Sequence, residues 1–218
     1  MIAENLKNIK NNLPEHIALV AVSKTKPVED LQEAYDAGQR DFGENKIQEM
    51  TDKYEVLPKD IRWHMIGHVQ RNKVKYMAKF VHLIHAVDSL KLLKEINKRA
   101  KNENRKINVL LQLKIAEEDT KFGLAKDDLL EILNQTQSDS FAHVKVVGLM
   151  GMATFTEDEA QIHREFSVLE NLFNTIKDEY NFTTLSMGMS GDYHLAQEHG
   201  TTMIRVGSKI FGARNYAN

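Results

Sequence analysis

Eight apolar runs of strand-forming residues recur along this chain, each followed by a stretch with helical spacing, and this alternation restricts the fold more than any other feature. The runs cover residues 17–22, 40–43, 61–66, 80–85, 107–113, 143–148, 183–187 and 202–206. Between them the apolar period changes. Val28, Leu31 and Tyr35 fall three or four apart, as do Leu90, Leu93, Ile96 and Ala100, and Ile162, Phe166, Leu169, Phe173 and Ile176. That spacing lines one face of a helix. Strands alternating with helices predict a parallel sheet, because parallel neighbours need a crossover between them. Eight is the number that closes into a (β/α)8 barrel. A further helix, marked by Ile2, Leu6, Ile9 and Leu13 and ended by Pro14, precedes the first strand. An open doubly wound sheet would carry a glycine-rich first turn. Here that turn reads Ser23-Lys24-Thr25-Lys26-Pro27 and holds no glycine. The expectation is therefore an α/β chain, one TIM-type barrel domain over residues 1–218 with an extra N-terminal helix.

Local signals refine the boundaries. Gly38 is placed to end the second helix, and Asp88 or Ser89 to cap the fifth. Thr156 with Glu159 reads as a capping box, and Ser190 as the cap of a helix over 191–199 stopped by Gly200. Residues 70–79 read as a basic helix. The chain has no cysteine, which excludes disulfides and thiolate metal sites and fits a reducing compartment. A net charge of −2 advertises neither a nucleic-acid nor a membrane surface. No apolar run approaches a bilayer span, and Met1-Ile2-Ala3-Glu4-Asn5 lacks the basic start of a secretory signal. The expected location is cytoplasmic.

The chemistry of a barrel sits where its strands end, on the βα loops. The first strand delivers Lys24 to that end. An amine desolvated there is freed to attack an aldehyde. The plainer reading is that Lys24 and Lys26 are solvated charges capping a buried strand. Loops after strands seven and eight of a barrel often hold a phosphate. Here those loops carry Ser190-Gly191 and Gly207-Ser208, small residues that let backbone approach an anion and add hydroxyls. Closing the barrel makes strands one and eight neighbours, so amine and anion site adjoin. Aldehyde capture beside a phosphate handle is what pyridoxal 5'-phosphate (PLP) requires, and a sugar-phosphate aldolase would use a similar pair. Arg205 favours PLP, since an arginine beside the pyridine nitrogen keeps it unprotonated.

Seven collinear stretches carry a resemblance. They are Val22-Ser23-Lys24-Thr25-Lys26-Pro27, Phe42-Gly43-Glu44-Asn45, the run from Trp63 to Lys73, Lys121-Phe122-Gly123-Leu124, Gly148-Leu149-Met150, Ser186-Met187-Gly188-Met189-Ser190 and Arg205-Val206-Gly207-Ser208. In this order they resemble the YggS/PROSC family of PLP homeostasis proteins, whose fold is that of the alanine racemase N-terminal domain. The resemblance implies that Lys24, not Lys26, forms the Schiff base with PLP. It implies phosphate contacts from Ser190, Gly207 and Ser208, and Arg205 at the pyridine nitrogen. Asn45 and His64 are implied to line the cofactor less directly.

Racemases of this fold carry a second, β-rich domain that supplies a tyrosine base. Residue 218 lies just past the eighth strand, so that domain and its tyrosine are expected to be absent. Two-base proton transfer at an amino-acid Cα needs a group on each face. The expected role is therefore a PLP carrier in vitamin B6 homeostasis without robust catalysis, monomeric, with apo-enzymes as recipients. The alternative is a small PLP-dependent racemase or lyase using Lys24 with a histidine such as His64, and a third reading is an apo interaction module. His64 and His68 do not form a metal pair on one helix face. Arg71, Lys73, Lys75 and Lys79 read as a solvated face rather than an RNA surface. Met150, Met152, Met187 and Met189 read as gap-fillers at strand ends.

Overall fold

The computed structural model describes residues 1–118 and 122–213. Eight parallel strands close into a barrel in sequence order, β1 pairing with β8 to seal it. They are β1 (Ala18–Val22), β2 (Asp41–Glu44), β3 (Arg62–Met65), β4 (Leu83–Val87), β5 (Ile107–Gln112), β6 (Val144–Met150), β7 (Thr184–Met189) and β8 (Met203–Val206). The helix α1 (Ile2–Asn11) precedes the barrel, as its apolar spacing requires. The outer ring is α2 (Val28–Asp36), α3 (Ile47–Val56), α4 (Val74–Met77), α5 (Leu90–Asn102), α6 (Lys126–Thr136), α7 (Glu159–Tyr180), α8 (Tyr193–Glu198) and α9 (Ser208–Phe211). No helix among the described residues is long and apolar enough to cross a membrane.

Strand alternation sorts the side chains into two cores. Leu19 and Ala21 of β1, Trp63 and Met65 of β3, Leu185 and Met187 of β7, and Ile204 and Val206 of β8 join the layer under the helices. The residues between them therefore face the lumen: Val20 and Val22, His64, Ser186, and Arg205. One side of the lumen is an apolar plug of Leu83, Ala86, Leu110, Val147 and Met150, against which Met152 and Met203 pack. The other side carries the polar groups His64, Ser186 and Arg205 beside Val20 and Val22.

Several boundaries depart from the sequence reading. The helix expected over 70–79 is a 3-10 turn, Arg71–Lys73, running into the single α-turn of α4. Phe80 and Val81 donate back to Met77 O at 3.0 and 2.9 Å, so they close that turn instead of joining the sheet. His82 N makes the first bond to β3, on Trp63 O at 2.8 Å, and β4 starts at Leu83. Ser89 is the cap of α5, accepting from Leu92 N. The cap of α7 is Asp158, which accepts from Gln161 N at 3.1 Å, while Thr156 Oγ1 accepts from Asp158 N at 3.1 Å. The cap thus lies two residues beyond the expected Thr156, and no reciprocal capping box forms, because the Gln161 amide donates to Glu165 instead. Ser190 caps no helix: α8 begins three residues later at Tyr193, with Asp192 before it.

Candidate functional site

A cavity of about 500 Å³ opens at the C-terminal mouth of the barrel. Its walls carry Lys24, Asn45, Ser190, Arg205, Gly207 and Ser208, six of the seven residues singled out from sequence. Lys24 reaches it by alternation, one step beyond Val20 and Val22 on the lumen side. Ser23 points the other way and is fully buried under α3.

The turn that presents Lys24 rests on a buried ion cluster. Lys53 Nζ donates to Ser23 O at 2.8 Å, Glu44 Oε1 at 2.8 Å and Glu49 Oε1 at 2.7 Å. Ser23 Oγ donates to Glu44 Oε1 at 2.6 Å, and Glu49 Oε1 accepts from Thr25 N at 2.6 Å. Thr25 sits at φ 63°, a left-handed conformation costly for a β-branched residue, so the turn needs this support. Burial pushes the Glu44 carboxyl up to about 7, against the opposing pull of Lys53 and Ser23. Its Oε2 is buried and has no hydrogen-bond partner among the described residues. Lys26 is committed elsewhere, its ammonium donating to the carbonyls of Phe211, Gly212 and Ala213 at 2.9, 3.2 and 3.2 Å.

Beside β1 at the mouth, the loops after β7 and β8 are tied together. Ser190 Oγ accepts from Gly207 N at 3.1 Å, which brings Ser190, Gly191, Gly207 and Ser208 to one end of the cavity. A Cβ at Gly191 would meet nothing within 4 Å, so the space beside it is open. On the opposite wall a Cβ at Gly67 would lie 2.5 Å from Asn45 O, so only glycine lets these two loops touch.

Arg205 is 3 % exposed, and burial lowers its guanidinium to about 10, with Asp192 opposing. It donates through NH1 to Ser186 Oγ and through NH2 to Gly151 O at 3.3 Å. The barrel thus aims a buried cation at the cavity and steadies it on two neutral oxygens.

Of the residues singled out from sequence, His64 is the one that the structure moves away from the cavity. It is buried in the lumen below, with Nδ1 on His85 Nε2 at 2.8 Å and Nε2 on Asp41 Oδ1 at 2.9 Å. The histidine on the cavity wall is His68, whose Nδ1 lies 3.2 Å from Asp88 Oδ2 and whose ring stacks on Phe122. Four residues of separation across a strand end send the two rings to different places, so they do not converge on a metal. A different trio, Asp41, His64 and His82, brings ligand atoms within 4.8 Å of one another. Arg62 already holds Asp41 there with two hydrogen bonds, at 2.8 and 2.6 Å, which counters a bound cation. Lys121 of the fourth sequence stretch lies outside the described residues.

Sequence reasoning weighed His68 only as a metal partner of His64 and gave no role to His85, Ser186, Glu49 or Lys53. Glu49 and Lys53 at i, i+4 were visible as a helical pair. Nothing local showed that Lys53 would be only 5 % exposed, because its burial depends on Ser23 and Glu44 from other elements.

Fold and cavity together define a class: a parallel eight-stranded barrel whose mouth presents Lys24 and a buried arginine beside loops of small residues. The chain matches the alanine racemase N-terminal domain family over residues 1–215. It is 36% identical over 232 residues to the pyridoxal phosphate homeostasis protein of Pasteurella multocida, covering 99% of each chain. The structure of PipY from Synechococcus elongatus with PLP bound superposes with a TM-score of 0.88 at 34% identity, covering 97% of this chain and 100% of that one. Alanine racemase from Bartonella henselae shares the fold at a TM-score of 0.76 and 17% identity, the match covering 60% of the racemase chain. The chain belongs to the pyridoxal phosphate homeostasis proteins, within the alanine racemase N-terminal domain family.

Proposed function

We propose that residues 1–218 form a single cytoplasmic PLP-binding barrel that holds PLP as a Schiff base on Lys24 and serves intracellular PLP homeostasis as a monomeric carrier, without robust catalysis. The observation that carries this reading is the convergence on one cavity wall of Lys24, Arg205 and the tied Ser190–Gly207 loops. The donor set fits the group's three recognition points. An aldehyde calls for the amine, a phosphate for hydroxyls and backbone N–H groups, and an unprotonated ring nitrogen for a buried guanidinium donor. PLP supplies an electrophilic aldehyde and an electron sink.

The remaining work belongs to the chain. The Lys53–Glu44–Glu49 cluster fixes the Ser23–Thr25 turn and so the direction of Lys24. Ser190 holds the β7 and β8 loops at one spacing. Arg205 supplies N–H donors and no acceptor, which suits an unprotonated nitrogen. Asn45 borders the cavity beside Gly67, while His64 acts only at a distance. Named relatives of this family are homeostasis proteins, and a recipient apo-enzyme is the corresponding partner for this chain. Adding PLP to the purified protein and recording the visible spectrum, then reducing with borohydride and mapping the label, tests the reading. A yellow adduct on Lys24 supports it; no absorbance band, or a label elsewhere, defeats it.

A second reading, a racemase or lyase, draws on His68. Asp88 occupies Nδ1 of this cavity-wall histidine, leaving Nε2 as the nitrogen with no other hydrogen bond among the described residues. Orientation by a carboxylate is how an acid–base histidine is usually held. Incubation with L-amino acids in deuterated water decides between the readings. Exchange at Cα or inverted product at enzymatic rates, lost in His68→Asn, would establish the enzyme and remove the carrier-only role.

A further inference from the structure

A continuous chain of side-chain hydrogen bonds crosses the lumen from the floor of the barrel to the cavity. Asp41 starts it on β2, followed by His64 on β3, His85 on β4, Ser186 on β7 and Arg205 on β8. The contacts are His64 Nε2 to Asp41 Oδ1 at 2.9 Å, His64 Nδ1 to His85 Nε2 at 2.8 Å, His85 Nδ1 to Ser186 Oγ at 2.9 Å, and Arg205 NH1 to Ser186 Oγ. His64, His85 and Ser186 are fully buried, so no bulk water can complete a missing partner.

The two ends of this chain remove all freedom in its middle. Arginine only donates, and a carboxylate only accepts. Arg205 uses the Ser186 oxygen as acceptor, so the Ser186 hydroxyl must give its own hydrogen to His85 Nδ1. His85 then carries its proton on Nε2 and donates to His64 Nδ1. His64 carries its proton on Nε2 and donates to Asp41. Every donor meets an acceptor in that arrangement alone. Protonating either imidazole on Nδ1 turns His85 Nδ1 into a donor, and the buried Ser186 hydrogen loses its acceptor.

We propose that Asp41, His64, His85 and Ser186 form a one-directional hydrogen-bond relay, with both histidines neutral and protonated on Nε2, that fixes the orientation of Arg205 at the cavity. His64 and His85 are thus positioning residues for Arg205, and the polarity of the floor reaches the cavity without a charged group in between. Burial supports the neutral state of His85, holding its imidazole well below the usual histidine range. The consequence for a bound pyridine ring rests on the PLP reading; the relay itself does not.

The test uses two measurements on the whole chain. Long-range 1H–15N correlation of histidine-labelled protein at neutral pH, without PLP, reads both tautomers directly. Nε2–H signals for His64 and His85 are expected, and an Nδ1–H or doubly protonated ring at either position overturns the relay. His85→Gln can still accept from Ser186 and donate to His64, whereas His85→Leu can do neither. His64 should therefore keep its Nε2–H tautomer in the Gln variant and lose its uniform state in the Leu variant. With PLP present, the Leu variant should shift the absorbance of the bound cofactor and bind it several-fold more weakly, and the Gln variant should restore both. Equal behaviour of the two variants overturns the proposal. If His85→Leu does not fold, the wild-type tautomers and the Gln variant still decide. A wild-type protein that shows both Nε2–H signals but takes up no PLP would sink the functional reading and leave the relay standing.

Discussion

Lys26 Nζ donates to Phe211 O at 2.9 Å, joining the turn after β1 to the end of α9 across 185 positions of sequence. With two further carbonyls completing its shell, this ammonium is a structural clasp. Lys24, two residues earlier, is turned toward the cavity by the alternation of β1. Two lysines of one short loop thus acquire separate work from their positions past the strand.

Replacing each in turn distinguishes them. Lys24→Ala is expected to abolish the borohydride-trapped PLP adduct, seen as loss of the pyridoxyl mass on the peptide after β1. Lys26→Ala should retain the adduct and lower thermal stability by loosening the last turn. A pyridoxyl group on Lys26 in the wild type would reverse the assignment.

Arg205→Gln keeps an N–H for Ser186 and removes the charge. The bound cofactor's absorbance should change more than its dissociation constant, because the phosphate and aldehyde contacts remain. A large affinity loss with an unchanged spectrum would place Arg205 away from the ring nitrogen.

Ser190→Ala removes the acceptor that ties Gly207 and the hydroxyl proposed to meet the phosphate. A hydrogen bond to a charged group contributes roughly 1.5 kcal/mol or more, so PLP affinity should fall about tenfold. Pyridoxal, lacking the phosphate, should bind the variant and the wild type equally. Parallel losses for both ligands would mean that the serine loop does not meet the phosphate.

Glu44 gives a pH prediction with a definite sign. Its folded-state pKa of about 7 lies above the unfolded value near 4.5, so the native form retains a proton that the unfolded chain has released. Its contribution to stability therefore falls as pH rises from about 4.5 to about 7. Buried, neutral His85 acts in the opposite sense over part of that range, so the comparison must be with Glu44→Gln. Between pH 5 and pH 8 the wild type should lose on the order of 3 kcal/mol relative to that variant in chemical denaturation. Parallel profiles would show that Glu44 ionises normally. The Asp41 carboxyl is held below its usual range by Arg62 and His64 despite its burial, so its contribution disappears only as pH drops below about 4.

Much of this architecture is written locally. The change of apolar period from two to between three and four marks strands and helices, and their number and order, with a first turn that holds no glycine, favour a closed parallel barrel over an open sheet. Closure then makes β1 and β8 neighbours, so Lys24, Arg205 and the Ser190 and Gly207 loops meet at one mouth whatever the detailed packing. In the folded barrel the same period of two turns Arg205, Ser186 and His64 to the lumen, between apolar neighbours that face the helices. What the linear order withheld was depth and partnership. His64 and His68 are equivalent by residue type, yet one sits in the lumen within β3 and the other at the mouth, four residues further along the chain. The registers of β4 and β7 shift at Ile84/Val87 and Ser186/Met189, which local pattern does not encode. The burial of Lys53, the raised Glu44 carboxyl and the relay to Arg205 likewise exist only in the folded chain. Each depends on burial, or on a hydrogen-bond partner, supplied by a different element of the fold.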